Sequence, residues 1–180
     1  MKYSIGISIF LIMLCTMSSG IAQDATNKKI ENMEAAKIVE QWGEAQIQGD
    51  WDAYHALSTD DFVLIGPAPE PLDKQAFLGW LQSLLGGNTD HNNNLTVVES
   101  SGNTVKATVQ MEGKHTKDWD LSFLGMGVRP ATNVHWKYPK EELIVTLRDG
   151  KIAKLEVSVP ENGGIAGIMS QLGLSKPVDE

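Results

Sequence analysis

The 180-residue chain has a single cysteine, Cys15, and it lies in an apolar N-terminal run rather than in the body of the chain. A body without thiols has no disulfide, no cysteine-ligated metal and no cysteine nucleophile. Basic residues are also scarce: 15 Lys and Arg stand against 23 Asp and Glu, the formal charge is −8, and no Lys/Arg cluster occurs. Phosphate binding needs clustered cations to displace counterions, so nucleic acid is not expected as a partner. The chain has no Gly-rich phosphate loop, no His-x-x-x-His or Cys pair for zinc, and no Gly-x-Ser-x-Gly nucleophile elbow. Its four histidines, at 55, 91, 115 and 135, include no close pair, so neither a metal site nor a cofactor is expected. Long apolar runs are missing as well, because Ile5 to Cys15 falls short of the ~20 apolar residues that cross a bilayer.

What is present, 42% apolar and 21% charged residues, fits one soluble globular domain with a sizeable core. The short apolar run reads as a targeting signal. Lys2 supplies its positive start, and Gly20-Ile21-Ala22 puts small residues where a signal peptidase reads. Residues 1–22 are therefore expected to be a cleaved signal peptide, which makes the protein secreted or periplasmic and leaves it no membrane association after cleavage. A lipid anchor on Cys15 is disfavoured, since Leu14 stands where a small residue is wanted. Residues 23–30 are polar and read as a flexible leader, residues 31–175 as the domain and residues 176–180 as a tail.

Periodicity divides the domain in two. Ala35, Ile38, Trp42 and Ala45 share one helical face that Gly49 ends, and Asp50 caps a short second helix carrying Trp51, Tyr54 and Leu57. Phe62 to Ile65 reads as a short buried strand. Asp73 caps a third helix with an apolar stripe of Phe77, Leu78, Leu81, Leu84 and Leu85, ended by Gly86-Gly87. Residues 88–94 read as a polar loop. From Leu95 the period becomes two, most clearly in Val105, Ala107, Val109 and Met111, and again in Val134, Trp136 and Tyr138. Asp149-Gly150 between alternating segments predicts an antiparallel hairpin of residues 141–148 and 151–159. A last short helix is expected over 165–174. Helices followed by antiparallel strands predict an α+β fold with helices covering one face of a curved sheet, and Lys117 to Pro130 as an apolar flap.

The same counting by two nominates site residues. From Val105 it reaches His115 with inward phase at a strand end, while His135 faces solvent. From Leu155 it reaches Glu161, the carboxylate that would join His115 as a general acid/base pair if the interior raises its pKa. Structural roles for both stay open, since Pro160 could release Glu161 to solvent. Asp118 and Asp120 either orient His115 or simply solubilise the flap. Trp42, Trp80, Trp119 and Tyr54 suit a pocket for a small hydrophobic, ring-bearing molecule, with core filling as the alternative, above all for Trp42.

Several strings in order resemble a known family over residues 33–175. Trp42, Gly49-Asp50-Trp51 and Asp60-Asp61-Phe62 resemble the opening of SnoaL-like domains of the nuclear transport factor 2-like superfamily. Gly113-Lys114-His115-Thr116, Pro130-Ala131-Thr132-Asn133, Asp149-Gly150-Lys151-Ile152 and Gln171-Leu172-Gly173 resemble the polyketide cyclase or ester cyclase pattern. That resemblance implies a cone-shaped curved antiparallel sheet wrapped by helices, a hydrophobic cavity open at one end, and homodimers. It places His115 on the family's histidine. The pattern's His-Trp after Gly-Lys-Ile is replaced here by Leu155-Glu156, and only Glu161 stands near the family's Asp. Two functions are compatible with this reading: cofactor-free acid/base catalysis on a carbonyl or ester compound, of cyclase, isomerase or hydrolase type, and non-catalytic binding of a small apolar ligand.

Overall fold

The computed structural model describes residues 16–174, with side-chain environments from residue 23 onward. Most of the expected signal segment and the 176–180 tail lie outside the described residues. The first helix, α1 (Thr16–Gln48), includes residues 23–30, for which the sequence predicts a flexible leader. Those residues are exposed on all sides, so local helix preference rather than packing holds them. Packing begins with Ala35, Val39, Trp42 and Ala45. Among the described residues no helix is long and apolar enough to cross a membrane.

Helix α2 (Trp51–Leu57) and helix α3 (Lys74–Gly87) both start as their capping residues dictate. Asp50 accepts the Ala53 N–H at 3.0 Å, and Asp73 accepts the Ala76 N–H at 2.8 Å. Between them lie β1 (Ser58–Ile65) and β2 (Leu72–Asp73). After α3 come β3 (Asn88–Asn92), β4 (Thr96–Ser101), β5 (Thr104–Val109) and β6 (Glu112–His115). A small hairpin follows, β7 (Trp119–Asp120) and β8 (Val128–Arg129) around a 3-10 turn at Ser122–Leu124. The chain ends with β9 (His135–Lys137), β10 (Glu141–Arg148), β11 (Lys151–Ser158) and α4 (Gly164–Gln171).

The architecture is α+β, with a curved, mainly antiparallel sheet and helices against it. Six strands order as β2-β1-β11-β10-β5-β4, and a second sheet orders as β3-β6-β9. The Asp149-Gly150 hairpin forms as read: Arg148 pairs with Lys151, and both turn residues take positive φ, 53° and 71°. Three features of the strands depart from what the sequence predicts. Strand β1 pairs with β11 in parallel, Leu64 against Leu155, so the sheet is mixed. Residues 88–92 are a strand rather than a loop, pairing with β6. Val134, expected inward, is 40% exposed because β9 starts one residue later.

Two apolar clusters fill the interior. The larger lies between the six-stranded sheet and the helices and includes Val39, Trp42, Tyr54, Phe62, Phe77 and Val145. The second holds Leu84, Trp119, Leu121, Trp136, Tyr138, Ile168, Met169 and Leu172. Trp80 and Met111 pack against both. Helix α4 covers the second cluster, and the turn that leads into it makes a backbone approach that only glycine permits: a Cβ at Gly167 would sit 1.9 Å from the Asn162 carbonyl oxygen. Gly167→Ala must push α4 off its seat, so urea unfolding should show a loss of about 1–3 kcal/mol. An unchanged midpoint would mean that α4 is loosely placed.

Candidate functional site

The strand phase that carries Val105, Ala107 and Val109 inward survives the step from one sheet to the next. His115, at the end of β6, is fully buried. Its ring meets Trp119 edge-on, with centroids 5.9 Å apart, and its Cα neighbour across the ladder is Asn88. The Thr132 backbone N–H donates to His115 Nδ1 at 3.3 Å, with the Thr132 hydroxyl oxygen 3.1 Å from the same nitrogen. A ring nitrogen that accepts a backbone N–H carries no proton, so the neutral ring has its hydrogen on Nε2. That Nε2 is buried without a hydrogen-bond partner. Burial holds the imidazole below its usual value, while the Asp118 carboxylate and the Lys117 backbone pull it upward. His115 is therefore a neutral hydrogen-bond donor within an apolar wall.

Asp118 itself is exposed and accepts the Ala131 N–H at 3.4 Å. Its influence on His115 is a charge at a distance. Asp120, also exposed, accepts the Ser122 N–H at 2.9 Å just before the 3-10 turn. The flap of the sequence reading is the β7–β8 hairpin, whose base is buried through Trp119 and Leu121 while Phe123 and Leu124 at its tip are exposed. Ser83 of α3 fastens the base: its Oγ accepts Trp119 Nε1–H at 3.1 Å and donates to the Asp120 carbonyl at 2.6 Å. A cleft of about 460 Å3 runs between this hairpin and the end of α3, lined by Ser83, Gly87, Asp118, Asp120 and Phe123 among others.

Glu161 does not face the interior. Beyond Pro160 the chain turns, with the Gly163 N–H donating to the Pro160 carbonyl at 2.9 Å, and Glu161 is exposed in that turn. The inward carboxylate is Glu141, which sequence reasoning missed. It opens β10 with the same phase as Leu143, Val145 and Leu147, and it is 6% exposed. Its Oε1 accepts the Gly164 N–H, 3.1 Å away at the start of α4. Burial pushes the carboxyl above its usual value, against the opposing pull of that N–H. Tyr138 is the next inward group along the chain. Its hydroxyl is buried without a hydrogen-bond partner, and it is pushed well up by burial and then by the charge of Glu141.

The tryptophans and Tyr54 divide between the clusters. Trp42 and Tyr54 belong to the larger core, where Trp42 Nε1–H donates to Ser58 Oγ at 2.9 Å; they are core rather than pocket lining. Trp80 stacks on Phe77 with centroids 5.8 Å apart and joins the two clusters. Trp119 and Trp136 wall the second cluster, where Trp136 lies 5.7 Å from Tyr138 and donates to Asn88 Oδ1 at 2.7 Å. His115, Tyr138 and Glu141 thus border one aromatic cluster: His115 through Trp119, Tyr138 as a member, and Glu141 beside Tyr138 under α4.

A family model described as the SnoaL-like domain matches residues 39–155. Similar solved structures include a proposed polyketide cyclase from Xanthomonas campestris pv. campestris, at 21% identity and a TM-score of 0.58, covering 79% of this chain and 98% of that one. An LEH-like epoxide hydrolase of M. tuberculosis is 14% identical with a TM-score of 0.57, over 79% of this chain and 95% of that one. AclR of Streptomyces galilaeus, a proposed hydroxylase, is 14% identical with a TM-score of 0.62, over 79% and 97%. These likenesses are likenesses of fold. No curated protein matches the chain. The match to the family model spans most of the chain, and the chain belongs to the SnoaL-like domain family of the nuclear transport factor 2-like superfamily.

Proposed function

We propose that this SnoaL-like domain performs cofactor-free acid/base chemistry on a small hydrophobic carbonyl or ester compound, with Glu141 as the proton-accepting carboxylate and His115 and Tyr138 as hydrogen-bond donors. The observation that carries this reading is a pair of buried donors without partners, His115 Nε2 and Tyr138 Oη, bordering the same aromatic cluster as a desolvated carboxylate. Buried polar groups are ordinarily satisfied, and two exceptions that border one cluster beside a buried carboxylate favour a ligand atom there. The roles follow from protonation state. Glu141, its pKa raised by burial, is a stronger base than an exposed carboxylate and can take a proton from carbon next to a carbonyl. Neutral His115 gives its Nε2 hydrogen to the oxygen on which negative charge develops, and an unionised Tyr138 hydroxyl does the same. The rings of Trp119 and Trp136 supply apolar surface for the rest of the molecule. Relatives of the same fold named as a polyketide cyclase and an epoxide hydrolase support small-molecule chemistry. The N-terminal signal-like segment supports export, which would put this chemistry outside the cytoplasm.

The test is deuterium exchange at the α-carbon of aromatic ketones and esters, followed by proton NMR. Wild type should accelerate exchange, and His115→Ala should lower kcat by about 10². Equal rates for wild type and variant would remove His115 from the chemistry. Tight ligand binding without exchange would make the domain a binding module instead.

A further inference from the structure

No molecule reaches the donors described above while the domain holds this arrangement. His115 is 0% exposed, so no water-sized probe touches its ring, and Trp119, at 1%, stands edge-on against it. Trp119 also presses on the end of α3: a Cβ at Gly87 would lie 2.6 Å from both Cβ and Cγ of the tryptophan. Ser83 and Gly87 line the cleft of about 460 Å3, together with Asp118, Asp120 and Phe123. Trp119 is thus the side chain that joins the cleft wall to the imidazole.

The hairpin that carries Trp119 can move as a unit. β7 and β8 form a two-stranded sheet of their own, and the turn between them is bonded internally. Leu121 N–H donates to the Gly127 carbonyl at 3.0 Å, and Met126 N–H donates to the Leu121 carbonyl at 3.2 Å. The neck is fixed on both sides, by Lys117 N–H on the Gly87 carbonyl at 3.1 Å and by Asn133 N–H on the His115 carbonyl at 2.8 Å. At the tip, nothing lies within 4 Å of a Cβ built on Gly125 or Gly127, so the turn stands clear of the body. Ser83 ties the base to α3 through its bonds with the Trp119 indole and the Asp120 carbonyl. Swinging the hairpin outward breaks those two bonds and leaves the internal ones intact.

We propose that the β7–β8 hairpin is the door to the aromatic cluster and that Ser83 is its latch, a positioning residue that acts through Trp119. The proposal rests on the reading that this cluster takes a small apolar molecule. Opening lifts the indole off Gly87 and joins the cleft to His115. Closing restores the apolar wall behind the molecule and excludes water from the donors. The empty and the occupied domain close with the same two bonds, so Ser83 sets the rates of entry and exit and leaves the affinity unchanged.

Hydrogen exchange at the indole nitrogens, followed by heteronuclear NMR on the full chain, tests the door without any ligand. Trp119 Nε1–H should exchange at least about tenfold faster than the Nε1–H groups of Trp42 and Trp136, whose bonds to Ser58 and Asn88 are buried. A rate equal to or below theirs overturns the door. The latch is tested with acetophenone, read by stopped-flow quenching of tryptophan fluorescence. Ser83→Ala removes both bonds and should raise the association and dissociation rates by about tenfold each, with the dissociation constant held within about twofold. Ser83→Thr, which keeps the hydroxyl, should return both rates toward wild type. A changed dissociation constant with unchanged rates would show that Ser83 shapes the pocket, and overturns the latch. Absence of saturable quenching defeats the ligand reading alone, since indole exchange decides the door.

Discussion

Glu141→Gln is expected to cut α-proton exchange by about 10²–10⁴ and, in the same protein, to raise thermal stability at alkaline pH. The two effects have one cause. Glu141 is buried at the start of β10, and its charged form is disfavoured by that burial. Glutamine keeps an oxygen for the Gly164 N–H while removing both the basic site and the buried charge. The direction with pH follows from linkage. A carboxyl whose folded pKa lies above its unfolded value of 4.5 contributes stability that is fully present below 4.5 and is lost as pH rises through the folded value. The melting temperature of the variant should therefore pull ahead of wild type progressively above pH 4.5 and converge with it below. Parallel curves would show that Glu141 is solvated and poorly suited to serve as a raised base. A variant that is more stable and still exchanges normally would move the base elsewhere without disturbing the burial argument.

Trp136→Ala should cost about 3–5 kcal/mol of stability. The ring is 2% exposed, lies 5.7 Å from Tyr138 and belongs to the smaller of the two clusters, where fewer neighbours can collapse into the space it leaves. Its indole N–H is also the partner of Asn88 Oδ1 at 2.7 Å, and Asn88 is 2% exposed. Losing the indole strands that oxygen, a cost of about 1–3 kcal/mol within the total. Asn88 donates in turn to the Leu84 carbonyl at 2.8 Å, so the damage reaches the end of α3. For a chain of this size the melting temperature should fall by roughly 6–20 °C. Trp136→Phe separates the parts, since it retains most of the packing and loses only the hydrogen bond. A loss below about 1 kcal/mol for the alanine variant would mean that the second cluster adds little to the fold.

Most of the scaffold was legible because it is written in local chemistry. Asp50 and Asp73 cap their helices by side chain, Asp149-Gly150 turns its hairpin, and the apolar stripes of α1 and α3 bury as their spacing requires. His115 was legible because its inward phase survives the break at residues 110–111 between β5 and β6. Glu161 was misplaced for a local reason: Pro160 and Asn162, the latter at φ 65°, turn the chain before the phase can be continued. Glu141 could have been found by running the count backward from Leu147 through Val145 and Leu143. Strand β3 was hidden because its buried face is polar. Asn88 is held by the Leu84 carbonyl and the Trp136 indole, contacts that hydrophobic periodicity does not register. The parallel neighbour of β1 was equally invisible, since nothing in residues 58–65 encodes whom they meet.

That parallel neighbour also sets an order of assembly. The β10–β11 hairpin joins residues close in sequence, so its ends meet after a short search. Strand β1 pairs Val63 with Lys154 and Leu64 with Leu155, across nearly the whole domain. A ribosome must therefore deliver β11 before β1 has an inner neighbour, and the entropy of closing so long a loop has to be met before that contact returns anything. Until then β1 has only the two-residue strand β2 beside it. Strand β1, the first strand made, waits for the last strand made before it gains that neighbour.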